Sequence, residues 1–298
     1  MKKKITVIGD VMIDWYLHGE SSGISPEAPV PGVNFKESKF QLGGAANVAN
    51  NLKYLEIEPF LIGAIGNDRF GSLLKEHLKA EKIKFNLLSE KSFQTICKQR
   101  LMSSNQQLAR IDYEKYFHGS KLNNLFNTFI KNIAKTDLII VSDYGKGTIF
   151  NARKLILSAR KLKKKILIDP KGKDFTKYKG ANLITPNKAE FENIMGKVGS
   201  KRDLVNKAKK MLEHLNLESL IVTLGSEGMY VLTKSNKKII GDFINAYPQE
   251  VFDVSGAGDT TISALGAALS EGNDIFSAAE FANLAASISV SKLGTSRV

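Results

Sequence analysis

The segment Asp253-Val-Ser-Gly-Ala-Gly-Asp259 has residue types that could do chemistry. Gly256 and Gly258 allow a ligand to approach the backbone closely, and a helical pattern begins directly after them. The N–H groups and positive dipole end of such a helix make an anion hole. Asp259 falls in its first turn. A carboxylate there can take a proton from a hydroxyl that attacks a phosphoryl group, while the N–H groups stabilise the developing charge. The same letters also fit a glycine-rich turn with an Asp N-cap.

A second segment is Gly43-Gly44-Ala45-Ala46-Asn47-Val48-Ala49. Two glycines precede a helix whose apolar face is supplied by Ala49, Leu52 and Leu55. A buried Asn one turn into that helix must find hydrogen-bond partners, and a polyhydroxylated substrate offers them. An ordinary glycine-rich helix entry is the plainer alternative. Two common nucleotide motifs, G-x-x-x-x-G-K-[ST] and a G-x-G-x-x-G after the first strand, are absent.

Composition excludes other chemistries. The 298 residues include one cysteine, Cys97, so there is no internal disulfide framework and no cysteine-rich zinc site. The four histidines, His18, His77, His118 and His214, show no metal-ligand spacing. The most apolar run, Ile262 to Leu269, is far too short to span a membrane. Lys2, Lys3 and Lys4 are followed by only a brief apolar run that stops at Asp10, so no signal peptide is read and the expected location is the cytoplasm. Net charge is +13, from 43 Lys+Arg against 30 Asp+Glu. The lysines are spread along amphipathic segments without interleaved aromatics. This describes a solvated surface with local positive potential suited to phosphorylated metabolites, with neither a nucleic-acid nor a membrane partner.

The elements that must carry these segments alternate. Apolar runs at Ile5–Gly9, Phe60–Ile65, Leu138–Ser142, Ile166–Ile168, Leu183–Thr185 and Leu220–Leu224 read as buried parallel strands. Helical patterns lie near 68–82, 150–163, 188–195, 201–215, 257–271 and 275–292, and 228–233 with 238–243 reads as a hairpin. The order predicts an α/β fold with a mostly parallel sheet between helices on both faces. Residues 12–40 and 94–112 fall outside that pattern. They read as short antiparallel strands, inserted from two places and forming one small β subdomain.

GGAANVANNL at 43–52 and DVSGAGDT at 253–260 resemble the two signatures of the ribokinase-like carbohydrate kinases, the phosphofructokinase-B family. The likeness runs from Ile5 to the C-terminus and implies a single carbohydrate kinase domain over 1–298, with a three-layer α/β/α fold and a small β-sheet lid. Six further stretches resemble the heptose 7-phosphate kinase branch of that family: Gly9–Asp14, Ile24–Pro31, Asn105–Asp112, Ser142–Gly147, Ile168–Gly172 and Lys292–Thr295.

The resemblance implies roles residue by residue. Asp259 would be the catalytic base, and the backbone of Ser255, Gly256, Ala257 and Gly258 the anion hole. Asn187 and Glu190, in PNKAE, would organise Mg²⁺ and the ATP phosphates through water, with Lys188 and Ala189 between them in the nucleotide site. Thr223, Gly225, Ser226 and Gly228, in TLGSEG, would border the nucleotide, and Asn283 the adenine. Asp14, Gly43, Gly44, Asn47, Asn105 and Asp143 would lie on the sugar side. Arg110, Lys146 and Lys171 are candidate ligands for a substrate phosphate, or else members of surface ion pairs.

The implied reaction is ATP- and Mg²⁺-dependent phosphorylation of the anomeric O1 of D-glycero-D-manno-heptose 7-phosphate, giving the 1,7-bisphosphate. That product belongs to ADP-heptose and lipopolysaccharide-core biosynthesis. The implied partners are the sugar phosphate, ATP and a second copy of the chain paired through the lid edges. Bifunctional members of the branch continue with a nucleotidyltransferase domain that has an HxGH-type motif. None follows LGTSRV here, so a free-standing kinase or the N-terminal half of a longer chain is expected, unable to transfer AMP. Two alternatives remain: a kinase of this fold for another sugar, and a non-catalytic sugar- or nucleotide-binding regulator. The regulator would be expected to lose the acid at 259 or at 190, and both are present.

Overall fold

The computed structural model describes residues 2–103, 106–236, 238–248 and 253–291. Asn105, Lys292 and the LGTSRV run lie outside the described residues. Strand β1 (Lys4–Gly9) leads into β2 (Val11–Ile24), and β3 (Pro31–Gly44) into α1 (Ala45–Tyr54). Next come β4 (Glu58–Gly66), α2 (Arg69–Ala80), β5 (Lys84–Glu90), β6 (Ile96–Ser103) and β7 (Gln106–Tyr113). The chain continues through α3 (Asn123–Ile133), β8 (Leu138–Ser142), α4 (Ala152–Lys161), β9 (Lys165–Asp169), β10 (Leu183–Ile184) and α5 (Lys188–Met195). It closes with α6 (Lys201–His214), β11 (Ser219–Thr223), β12 (Met229–Ser235), β13 (Lys238–Ile244), α7 (Ala257–Ser270) and α8 (Ile275–Val290).

The larger sheet has the order β13-β12-β11-β10-β9-β8-β1-β4-β5. It is parallel from β11 to β5, and only β12 runs against the rest, since β13 turns back to their direction. Its strands are apolar on both faces because helices cover both. Ile8, Ile139 and Val141 face a core with Leu125, Phe129, Leu155 and Ile156. Val7, Ile140 and Leu61 face the other, with Val48, Leu52, Leu74, Ile262 and Leu265. The period of two along each strand thus divides β1 and β8 between two cores.

Strand order reverses at β1, which lies between β8 and β4. A crevice opens at the C-terminal ends of the strands at such a switch point, and ligands bind there. Asp10, Asp143 and Asp169 all sit at these strand ends.

The second sheet corrects the reading of short antiparallel strands. It has the order β3-β2-β6-β7, and β2 and β3 are each 14 residues long. Its central pair, β2 with β6, is parallel. The cause is geometric: β2 and β6 extend outward beyond the C-terminal ends of β1 and β5, which already run the same way. Pro31 opens edge strand β3, where a missing N–H is tolerated. Trp15 of β2 stacks on Phe40 of β3, ring centroids 4.9 Å apart, and meets Phe70 of α2 edge-on at 5.8 Å. That aromatic seam joins the smaller sheet to the body.

Candidate active site

Asp259 lies in the first turn of α7, whose cap, Gly256, has the left-handed φ of 79° that glycine adopts without strain. The residue is 1 % exposed. The Asn47 amide of α1 donates to its carboxylate Oδ2 at 2.9 Å, and the Tyr144 hydroxyl donates to Oδ1 at 2.9 Å. Burial pushes the Asp259 carboxyl up to about 7, against the opposing pull of those two donors. The group is therefore poised near neutrality, where a general base works best.

The glycine pair before α1 makes this approach possible. A Cβ on Gly43 would stand 2.4 Å from Asp14 Oδ2, and one on Gly44 would stand 2.5 Å from the Asp10 carbonyl oxygen. Asp14 is buried and paired with Arg100 of β6. Asp14, Gly43, Gly44, Asn47 and Asp259 thus come together beneath the smaller sheet.

On the other side of Asp259 is a cleft of about 220 Å³, lined by Asp169, Lys171, Asn187, Glu190, Thr223 and Gly258 among others. A larger cavity of about 690 Å³ sits at the N-terminal ends of β1 and β4, between Lys3, Ile57, Glu271 and Phe281. None of its charged residues is buried, so it lacks the convergent polar groups of the smaller cleft.

Asn187 and Glu190 form a capping box on α5. Asn187 Oδ1 accepts from the Glu190 N–H at 2.9 Å, and Glu190 Oε2 accepts from the Asn187 N–H at 3.0 Å. The N-x-x-E spacing thus has a helix-starting reason of its own. Lys171 adds a 2.7 Å bond to Glu190 Oε1. Thr223 bridges to Asn187 from the end of β11.

A model of the pfkB family carbohydrate kinases matches residues 2–298. The chain belongs to this family. This PfkB kinase is 42% identical over 295 residues to the "Bifunctional protein HldE" of Haemophilus influenzae, which covers 99% of the chain. It is 44% identical over 294 residues to the protein of that name from Pseudomonas aeruginosa. In both cases the chain spans 61% of the relative's length. Among solved structures it resembles Arabidopsis thaliana ribokinase complexed with ribose and ATP, with a TM-score of 0.76 and 20% identity over 99% of this chain and 94% of that one. Escherichia coli phosphofructokinase-2 in complex with substrates and products gives 0.79 and 17% identity over 97% and 93%. The ribokinase-like fold follows, with a large mostly parallel sheet and a smaller one, and the family makes the chain an ATP-dependent sugar kinase.

The other residues read from the sequence fall in differing places in this kinase. The Ser255 N–H turns to Asp253 Oδ1 at 2.8 Å and the Ala257 N–H to the Val254 carbonyl at 3.3 Å. Both are spent within the loop, so the candidate anion hole narrows to first-turn N–H groups such as those of Gly258 and Asp259, which have no intrahelical acceptor. Asp143 accepts from the Gly145 N–H, the Lys177 ammonium and the Tyr178 hydroxyl at 2.7–2.8 Å, and so anchors the 171–178 loop. Gly225 and Ser226 form an exposed 3-10 turn, Gly228 closes it, and Lys188 pairs with Glu227 across it while Ala189 is exposed. Asn283 of α8 is buried and donates to the Asn245 carbonyl at 2.7 Å. The three candidate phosphate cations are all paired: Arg110 with Asp112, Lys146 with Glu114, and Lys171 with Glu190.

Sequence reasoning passed over Tyr144, Asp10, Lys98, Arg100 and Asp169 as site residues. Tyr144, Asp10 and Asp169 sat inside segments already singled out, SDYGKG, GDVMID and IDPKG. Lys98 and Arg100 lie on β6, with no motif to mark them. Lys98 lies 5.7 Å over the Tyr144 ring and exerts a favourable charge effect on Asp259. It makes no ion pair among the described residues.

Proposed function

We propose that this kinase transfers the γ-phosphoryl group of ATP to the anomeric O1 of D-glycero-D-manno-heptose 7-phosphate, giving the 1,7-bisphosphate. Asp259 takes the O1 proton, O1 bonds to the γ-phosphorus, and the bond to the bridging oxygen breaks to release ADP. The observation that carries the reading is a buried carboxylate held by two donors at the start of α7, between the Asp14, Gly43, Gly44 and Asn47 cluster and the Glu190 cleft. The N–H groups of Gly258 and Asp259 would stabilise charge on the transferring group. Asp14, Asn47 and the glycine pair would hold sugar hydroxyls. Thr223 and Asn283 would border the nucleotide.

The heptose phosphate assignment is supported by the stretches at 24–31, 105–112 and 142–147 and by a likeness to the HldE proteins that covers 99% of this chain. Lys98 joins Arg110, Lys146 and Lys171 as a candidate for the remote phosphate, since it faces the site with no carboxylate partner among the described residues. The oxygen donors of Asn187 and Glu190 suit magnesium held through water and ATP phosphates. No cluster of three or more His, Cys, Asp or Glu among the described residues forms an all-protein cage. When bound, the ion would neutralise charge on the ATP oxygens.

The smaller sheet would act as a lid that excludes water, so that ATP is not hydrolysed instead. Exposed Phe35 and Ile111 on that sheet support pairing with a second copy, which light scattering of wild type and Phe35→Asp would test. ATP as donor makes the cytoplasm the expected compartment, as one domain of a biosynthetic route to ADP-heptose and the lipopolysaccharide core. The deciding experiment is a panel of neutral and phosphorylated sugars with ATP and Mg²⁺, scored by ADP release and by NMR of the product. Selective turnover of the heptose 7-phosphate at O1 supports the reading. Equal turnover of the neutral heptose, or preference for another sugar, overturns it.

A further inference from the structure

We propose that Tyr144 is a positioning residue for Asp259, aiming its carboxylate and favouring its ionised form through one hydrogen bond from a loop that Asp10 clamps. This rests on the reading of Asp259 as the base.

Tyr144 lies in the 143–148 segment, which has no helix or strand of its own to fix it. Asp10 supplies the support. It is fully buried at the C-terminal end of β1. Its Oδ2 accepts from the N–H groups of Tyr144 at 2.9 Å and Lys146 at 3.0 Å, and its Oδ1 accepts from the Thr148 N–H at 3.1 Å. Burying a carboxylate is costly unless its hydrogen bonds are met, and here three alternate residues of one loop meet them. The result is a loop with a fixed backbone and one side chain, Tyr144, aimed at Asp259.

The Asp10 carbonyl accepts from the Ala45 N–H at 3.0 Å, the first residue of α1. That helix carries Asn47, the other donor to Asp259. One residue therefore sets the position of both donors. Gly44 stands where they converge, since a Cβ there would touch both the Asp10 carbonyl oxygen and the edge of the Tyr144 ring.

The groups facing Asp259 are Asn47 from α1, Tyr144 from the loop, Asp14 from β2, Lys98 from β6 and Asp169 from the end of β9. Asp14 disfavours the ionised form, whereas the two donors and Lys98 favour it. Burial, with the Asp259 charge beside it, keeps the Tyr144 hydroxyl well above its ordinary pKa, so it remains a donor throughout any working pH range. Removing it leaves Asp259 with fewer groups favouring its charge.

The test is Tyr144→Phe in the full chain, which keeps the ring and deletes the donor. Thermal melting and circular dichroism check that the fold is retained. The expected result is a fall in kcat of about tenfold, the scale of a modest misplacement of a reacting group, with KM for sugar and ATP nearly unchanged. The acid limb of the kcat–pH profile should move up by about one pH unit. Unchanged kcat and an unmoved limb overturn the proposal. A lower kcat with an unmoved limb overturns it too, because that is what a purely structural role produces. Asp259→Asn, assayed in parallel, separates the two claims: if it retains turnover, the base reading fails. If it is inactive while Tyr144→Phe is indistinguishable from wild type, only the present inference fails.

Discussion

The Asn47 amide and the Asp259 carboxylate, 212 positions apart in the chain, meet at 2.9 Å in the buried floor of the cleft. Each residue comes from one of the two sequence signatures, so the two motifs are halves of one hydrogen-bonded unit. Asn51, one turn further along α1, donates in turn to Asn47 Oδ1 at 3.2 Å, which orients the amide with its N–H₂ toward the acid.

Asp259→Asn should lower kcat by at least ~10²-fold, the usual scale for a positioned base, and leave sugar affinity largely intact by calorimetry. In wild type, activity should fall on the acid side of about pH 7 as the carboxyl protonates. The stability sign runs the opposite way. A carboxyl raised in the folded state binds more protons there than in the unfolded chain, so its ionisation erodes stability between about pH 4 and pH 7. Melting temperatures across that window should therefore decline for wild type relative to Asp259→Asn, and parallel curves would remove the buried-charge argument.

Glu190→Gln should raise the Mg²⁺ concentration needed for half-maximal rate while α5 stays folded, since a glutamine can still cap the Asn187 N–H. Glu190→Ala should lose the cap as well, worth about 1 kcal/mol. Titration of both variants with Mg²⁺, beside urea melts, separates the ion from the helix. Identical Mg²⁺ curves for Glu190→Gln and wild type would leave the residue a structural role alone.

Arg100 and Asp14 form a buried pair whose side chains are only 11% and 6% exposed. Arg100→Ala leaves the Asp14 carboxylate buried without its partner and should cost about 3–5 kcal/mol in chemical unfolding. The double variant Arg100→Met, Asp14→Leu should recover much of that stability and have no sugar binding. A single-variant cost below about 1 kcal/mol would mean the pair is solvated.

Lys98→Met should raise KM for the phosphorylated sugar by roughly 10–150-fold, the range for one charge-assisted phosphate contact, and narrow the gap to the neutral sugar. Arg110→Ala should do much less, because its guanidinium is half exposed and already paired with Asp112. Steady-state kinetics on both sugars decide it, and a larger effect at Arg110 would reverse the assignment.

The parallel core was readable because β1, β8 and β9 are short apolar runs that end in Gly, Ser or Asp, where an interior strand leaves the sheet. Strand β5, Lys84–Glu90, was not read, since an edge strand carries polar side chains and lacks that apolar run. Helix α3 was missed for a different reason. Its Asn-rich sequence argues against a helix locally, and only the spacing of buried Leu125, Phe129 and Ile133 reveals its packed face. In the site, motif residues such as Asp259 and Asn47 carry recognisable spacing. Arg100 and Lys98 do not, because they reach the cleft through the parallel pairing of β6 with β2, a long-range register that no local pattern announces.

The aromatic seam at Trp15 makes the molecule its own spectroscopic probe. This is the chain's single tryptophan, wedged between Phe40 of the smaller sheet and Phe70 of α2. Any tilt of that sheet toward the cleft must slide the indole against the Phe70 edge. Its emission maximum and quenching by acrylamide therefore report sheet movement as sugar and nucleotide are added, without a dye, a label or a second tryptophan to subtract.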